Sequence, residues 1–503
     1  MYKLRIFAPA LLALSVLFTG CATVNKSTEK EAGDINNQYR SGNVQGALQS
    51  LDATFNKLSF IAAKDKAQKD TIYYLEKGTF LSNLGQSRLN ESTQNFLTVR
   101  NTITDWENQI APSFKMSSKQ LMASISDSMA FSQLYIPRDY EKSFVGFELM
   151  TNHALAKRYD LAFPESKATT ELDQFLTQAR KIELDAANIK AKDQIATSRI
   201  SSGITSINQI QGYPVDTFNT KEVLELKNSY LNAGTYYLAG FVSEAMGSAT
   251  SGITEPNYQN AFNINPNPFF KQALTNAAKK VKPGANQSDT LIIVDTGFLS
   301  DVYSFKTTVP FATRSGPKAV TWVVPAIRNN AVIFNPQKVD VNGKTLPLTQ
   351  VSNVEAMSRR ELKDQMPSYI ARAVTSSIIQ IVAQELAQQA IDRNKGKNES
   401  ANALMKLGAS VAINVLAAGD VDTRMWKSLP SGVYMARATL PQGKGTIMIP
   451  TPAGPRQVNI LLNSPYEVVK LRVFNDGVIS SNYPKPLAET EYGIFNTSSA
   501  IKK

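Results

Sequence analysis

This 503-residue chain is poor in the side chains that usually do catalysis. It has a single histidine, His153, and a single cysteine, Cys21. A Ser-His-Asp or Cys-His relay needs a histidine as its base. Any such relay must therefore use His153, which sits among Asn152, Ala154 and Leu155 in a helical stretch and reads as a packing or surface residue. No Gly-x-Ser-x-Gly elbow, Gly-x-x-x-x-Gly-Lys-Ser/Thr loop or Gly-x-Gly-x-x-Gly turn occurs. The usual zinc site needs several His or Cys ligands, more than this chain holds. Two carboxylates can meet from anywhere in a fold, but the sequence singles out no pair. No catalytic residue, metal site or cofactor is expected.

One cluster stands apart. Asp422, Arg424 and Trp426 alternate along Asp422-Thr423-Arg424-Met425-Trp426-Lys427-Ser428-Leu429-Pro430. Arg424 can pair bidentately with Asp420 or Asp422 while Trp426 covers an apolar edge. The cluster reads either as a lock between a long helix and the last strands or as a ligand cleft. Tyr39, Tyr74, Tyr159 and Tyr237 form a second candidate set, either lining a groove between helices or filling the space between them.

Cys21 is placed for a different chemistry. A basic start, Met1-Tyr2-Lys3-Leu4-Arg5, precedes an almost wholly apolar run over residues 6–19 that is too short to span a bilayer. The ending Leu17-Phe18-Thr19-Gly20-Cys21 resembles the lipobox of bacterial lipoproteins, with Phe18 where a smaller aliphatic residue is usual. The resemblance implies cleavage after residue 20 and a diacylglycerol thioether with an acylated amine on Cys21. Two or more chains anchor stably where one does not. Ala22 follows, not the Asp that signals inner-membrane retention in such lipoproteins, so the resemblance implies an outer-membrane anchor with the body in the periplasm.

The net charge is +12, and loss of Lys3 and Arg5 with the signal leaves about +10. The basic residues are scattered among acids, with no arginine-rich arm, so nucleic acid is not expected as a partner. With 43% apolar residues the chain can bury proper cores. Its only cysteine is committed to lipid, so packing must stabilise the body without a disulfide.

The organisation reads as a signal over residues 1–20, a lipidated tether over 21–33, a helical domain over 34–265, an α+β domain over 286–480 and a tail over 481–503. Four places in the helical half share a signature of an inter-helix turn, at glycine in three of them and at Lys157 in the other, with a close-packing small residue. They are Gly42 with Ala47, Gly78 with Gly85, Lys157 with Ala162, and Gly240 with Gly247. The spacings resemble degenerate tetratricopeptide repeats, which implies an irregular α-solenoid. Its concave face would dock a partner.

Asn265-Pro266-Asn267-Pro268 breaks the pattern, and strands are expected at 290–294, 320–327, 331–334, 339–346, 432–440, 445–450, 457–462 and 467–474. Asn342-Gly343 marks a tight hairpin. Two long helices, about 358–394 and 400–418, interrupt the strands. The expected class is α+β, an irregular tetratricopeptide-like solenoid followed by an antiparallel-sheet domain with two long helices.

Taken whole, the chain resembles a family of uncharacterised bacterial lipoproteins with these two halves. The resemblance rests on Pro137-Arg138-Asp139-Tyr140-Glu141-Lys142, Tyr236-Tyr237-Leu238-Ala239-Gly240, Leu291-Ile292-Ile293-Val294-Asp295-Thr296-Gly297, and the Asp422–Pro430 stretch with Ala436-Arg437 and Leu440-Pro441-Gln442-Gly443. The family supplies no established activity; the lipid anchor and the lack of a catalytic motif make the expected function a non-catalytic protein-binding or scaffold component of the envelope. The partners would be the membrane, through Cys21, and an unidentified periplasmic or envelope protein. The alternatives are a regulator of peptidoglycan synthesis and a carboxylate-dependent envelope hydrolase.

Overall fold

The computed structural model describes residues 33–61, 70–112, 135–247, 250–393 and 421–482. Cys21 and its tether, Asp420, the helix expected at 400–418 and the tail from residue 483 lie outside the described residues. The described chain is a mixed α+β protein whose helices come first.

The helices are α1 (residues 33–40), α2 (Val44–Ile61), α3 (Thr71–Asn83), α4 (Leu89–Ile110), α5 (Asp139–Leu155), α6 (Tyr159–Ser198), α7 (Lys221–Glu225), α8 (Ala233–Met246), α9 (Ser251–Ile264) and α10 (Pro268–Ala278). Local chemistry starts several of them. Asp70 caps α3 through Ile72 N at 3.5 Å, and Asn232 caps α8 through Gly234 N at 2.9 Å. Asn267 caps α10 with Pro268 at its first position, so the Asn-Pro breaker ends α9 and opens another helix.

All four expected inter-helix turn positions have positive φ: 84° at Gly42, 99° at Gly85, 59° at Lys157 and 84° at Gly247. A Cβ on Gly78 would lie 2.7 Å from the Phe96 ring, and one on Gly240 2.6 Å from Tyr258. The small residues therefore let α3 meet α4 and α8 meet α9 at close range.

The sheet half comprises β1 (Gln287–Thr296), β2 (Val302–Phe311), β3 (Lys318–Ile327), β4 (Lys338–Val341), β5 (Lys344–Pro347), β6 (Thr349–Asn353), the 40-residue helix α11 (Val354–Arg393), β7 (Gly432–Pro441), β8 (Gly443–Ile449), β9 (Arg456–Leu462), β10 (Tyr466–Val473) and β11 (Val478–Ser480). One sheet runs β11-β10-β1-β7-β6 and another β5-β4-β8-β9, with β2-β3 as a separate hairpin. The expected Asn342-Gly343 turn joins β4 to β5, with φ of 50° and 79°.

Two expectations are corrected. The sheets are not wholly antiparallel, because β1 pairs parallel with β10, Asp289 opposite Tyr466 through Asp295 opposite Arg472. The run at 331–334 supplies one isolated bridge, Val332 to Phe298, rather than a strand.

The body is layered. Leu291, Ile293, Val433, Met435 and Val468 face the helices, in one core with Phe96, Phe144, Phe241 and Trp426. Ile292, Val294, Tyr434, Val469 and Leu471 face the second sheet, against Val341, Ile447, Ile449, Val458 and Ile460. Being covered on both faces explains why residues 291–294 read as an unbroken apolar run.

The close approach at Gly78 can be tested directly. Gly78→Ala forces the Phe96 ring to move and is expected to lower the unfolding free energy by about 1–3 kcal/mol. Gly252→Ala meets nothing within 4 Å and is expected to be neutral or slightly stabilising. Equal urea midpoints for the two variants would contradict the packing described.

Candidate functional site

The three residues of the predicted cluster lie on an extended segment, here called the strap, that leads from residue 421 into β7. Helices α3, α4 and α5 hold it. Trp426 is 0% exposed, and its ring lies 5.6 Å from that of Phe96. The indole N–H donates to Thr79 Oγ1 and Ser428 Oγ, each at 2.9 Å. Tryptophan needs such a partner when buried.

Most of the remaining grip is on the main chain. Glu141 accepts from the Trp426 N–H at 2.8 Å, and Glu76 accepts from the Lys427 N–H at 2.7 Å. Arg138 Nη2 donates to the carbonyls of Asp422 and Arg424, both at 3.2 Å. The side chain of Arg424 makes the expected bidentate pair with Asp422, at 2.9 and 2.7 Å. It adds a pair with Asp70 that the sequence did not suggest, and lies 5.4 Å from the Tyr135 ring centre. Lys427 reaches Asp301 at 3.1 Å, on the sheet side of the strap.

The carboxylates of the cradle are placed by local sequence. Glu141 is the third residue of α5 and accepts the Arg138 N–H at 2.9 Å, which starts the helix. Its Oε2 also takes the Tyr135 hydroxyl at 2.5 Å. Glu361, on α11, accepts the N–H groups of Asp139 and Tyr140 at 3.0 and 3.3 Å, so a second acid caps α5 from outside. Burial pushes Glu76 and Glu361 up to about 7. Burial likewise pushes Asp173 up to about 7, against the opposing hydrogen bond from the Tyr236 hydroxyl at 2.7 Å. Burial would raise Asp139 too, but Arg180 and Lys142 together hold it below the carboxylate range.

The tyrosine set does not line an open groove. Tyr39 is buried against Phe80, Phe298 and Phe474, and Tyr237 stacks on Phe269 at 4.5 Å. Tyr74 is half-buried beside Tyr73. Tyr159 is half-buried and donates to the Tyr466 carbonyl at 2.9 Å, joining α6 to β10. Aromatic bulk fills the gaps between elements. His153 is half-buried on α5, and burial lowers its pKa.

Sequence reasoning missed the cradle residues Asp70, Glu76, Glu141, Arg138 and Glu361. The acid three residues after Arg138 was a visible helix-start signal. Asp70, Glu76 and Glu361 lie on distant segments and gave none, and Arg138, beside Glu141, gave no sign of its bonds to the strap. Among the described residues, no group of three or more His, Cys, Asp or Glu is arranged to hold a metal ion. No family model, curated protein or solved structure matches the chain.

Two predictions follow from the cradle. Trp426→Ala is expected to cost about 3–5 kcal/mol of stability, the usual loss for a buried large aromatic, in a denaturant titration. The second concerns pH. Glu76, Glu361 and Asp173 have folded pKa values raised above their unfolded ones, so their contribution is complete below about 4 and declines as pH rises through about 7. Asp139, shifted the other way, contributes above its unfolded pKa and loses that contribution in stronger acid. Melting temperature is therefore expected to be higher at pH 5 than at pH 8. The combined change Glu76→Gln, Glu361→Gln, Asp173→Asn is expected to flatten that slope, and a profile rising toward alkaline pH would overturn the assignment.

Proposed function

We propose that this chain is a lipid-anchored component of the bacterial outer membrane that works by binding other envelope proteins rather than by catalysis. The observation that carries the reading is the strap. The helical half grips an extended segment through its main chain, with one deep aromatic anchor, Trp426, and one guanidinium, Arg424. Helical repeats bind extended peptides in this way. The positive-φ turns at Gly42, Gly85, Lys157 and Gly247 support reading the helical half as an irregular tetratricopeptide-like solenoid. The membrane attachment rests on the lipobox-like Leu17–Cys21 sequence.

The two parts are tested separately. Cells fed labelled palmitate are expected to label the intact chain and not Cys21→Ser; equal labelling would remove the anchor from the proposal. For recognition, Trp426→Ala loosens the strap, and a synthetic peptide with the sequence of residues 421–431 is then supplied in trans. The peptide is expected to bind and raise the melting temperature of the variant, while the same peptide with Ala for Trp is expected not to. If neither peptide has an effect, the cradle is a folding contact only.

A further inference from the structure

One end of the five-stranded sheet carries a surface that the strap and its cradle do not use. The register brings the start of β1, the end of β7 and the start of β10 to the same end, with Gln287 opposite Pro441 and Asp289 opposite Tyr466. The loop after α10 joins them there, because the Gln442 N–H donates to the Asn286 carbonyl at 2.9 Å. Lys444 and Leu461 follow as cross-strand partners on β8 and β9. The first turn of α6 is also tied in, by Tyr159 to the Tyr466 carbonyl.

Three large apolar side chains are exposed at this end: Val281 at 53%, Leu461 at 56% and Leu161 at 41%. Lys279, Lys280, Lys282 and Lys444 are exposed around them, and none is in an ion pair among the described residues. The carboxylates of the same loops and strand ends are already engaged. Asp289 pairs with Arg437, Glu467 with Lys157, and Asp160 with Arg158. Uncommitted positive charge surrounding exposed apolar tips complements an anionic, partly apolar surface.

We propose that this end docks onto anionic phospholipid headgroups, with the four lysines on the phosphates and Val281 and Leu461 at the edge of the hydrocarbon. The proposal rests on the anchored reading above and gives the anchored body an orientation. Strand β1 is about 30 Å long at 3.3 Å per residue, and α1 packs at its far end, where Tyr39 meets Phe298. The twelve residue-to-residue steps from Cys21 to residue 33 reach at most about 40 Å, enough for the tether to run beside the body while the lysine end faces the same membrane.

The test uses the full chain, processed in a bacterial host and reconstituted into vesicles, carrying Val281→Cys with an environment-sensitive fluorophore. Brominated lipids serve as quenchers, and the parent chain provides the Cys21 background. Ile333→Cys, 53% exposed beside the Val332–Phe298 bridge at the opposite end, is the control position. On vesicles of phosphatidylglycerol and phosphatidylethanolamine, quenching is expected at residue 281 and not at 333. It is expected to fall in 0.5 M salt, and in the triple variant Lys279→Gln, Lys280→Gln, Lys282→Gln.

Each lysine near an anionic surface is worth about five-fold in partition, so the triple variant should weaken docking about a hundred-fold. No quenching at 281, equal quenching on phosphatidylcholine, or quenching at 333 instead would overturn the proposal. A patch that met soluble polyglutamate but not vesicles would assign it to an acidic protein and overturn it equally. Flotation of the chain on neutral vesicles reads the anchor independently, so failure of the anchor and failure of the docking face give different results.

Discussion

The packing of one indole between two halves of the chain is the contact on which the rest of the structure depends. Trp426 belongs to the same core as Phe96 and Phe144 from the helices and Ile293 and Met435 from the sheet. A tryptophan removes roughly 150–250 Å² from water, about 4–6 kcal/mol at 25 cal/mol per Å². That energy alone would not fix the direction of the strap. The direction comes from Glu141 and Glu76 receiving consecutive main-chain N–H groups and from Arg138 spanning two carbonyls. Without the strap, two buried carboxylates would lose donors and would cost more than the lost hydrogen bonds themselves. The apolar anchor and the polar frame therefore stand or fall together.

The same pairing of charge with register recurs where helices meet the sheet and where they meet one another. Lys470 on β10 lies between both carboxylate oxygens of Glu148, at 2.7 and 2.6 Å, with Asp295 at 3.4 Å. Arg437 on β7 joins Asp289 of β1 to Glu244 of α8 and donates to the Tyr258 hydroxyl oxygen as well. On α5, Asp139 holds Lys142 and Arg180, and the Lys142 ammonium lies 3.5 Å from the Trp106 ring centre. Buried pairs of this kind contribute little net stability, because desolvation offsets their attraction, yet removing one partner is costly. Their effect is to penalise every other docking of helices on sheet. A shift of β10 by one residue would turn Lys470 away from Glu148 and into the second sheet.

Much of the local structure was legible in the sequence. The turn residues were readable because only a few residue types accept positive φ, and Gly42, Gly85, Gly247 and Asn342-Gly343 announce it. The long helix read at 358–394 is α11, Val354–Arg393, and most strands of the sheet half fall within a residue or two of their expected positions. What stayed hidden was non-local. Strand β2 escaped notice because Lys306 and Pro310 interrupt its apolar pattern, and both are exposed on its outer face. The parallel pairing of β1 with β10 joins segments some 170 residues apart and has no local signature. At the candidate site, the sequence singled out Asp422, Arg424 and Trp426; Arg424 pairs with Asp422, while Trp426 is buried separately against Phe96. The sequence could not show that Asp70, Glu76 and Glu141 receive them, since no periodicity links residues of two separate helices to a segment 280 or more positions later.

The stretches that carried the family resemblance share one physical property. Pro137–Lys142 is the rim of the cradle and Asp422–Pro430 is the strap inside it. Gly240 brings α8 against Tyr258, and Gly297, at φ 66°, lies where a Cβ would be 2.0 Å from the Val332 carbonyl oxygen. Each is a place where elements from different parts of the chain touch at a separation that one residue type permits. These positions are constrained by the assembly of the body, and their distinctiveness in the sequence needs no ligand to explain it. The filled cradle has a further consequence. The cradle offers no open face to a partner, because α5 is buried along nearly its whole length, packed against α4, α6, α8, β10 and α11 and hydrogen-bonded to the strap. Recognition through that face therefore requires the strap to leave, at the cost of exposing Trp426 and stripping Glu76 and Glu141 of their donors. Surfaces already open to solvent carry no such cost.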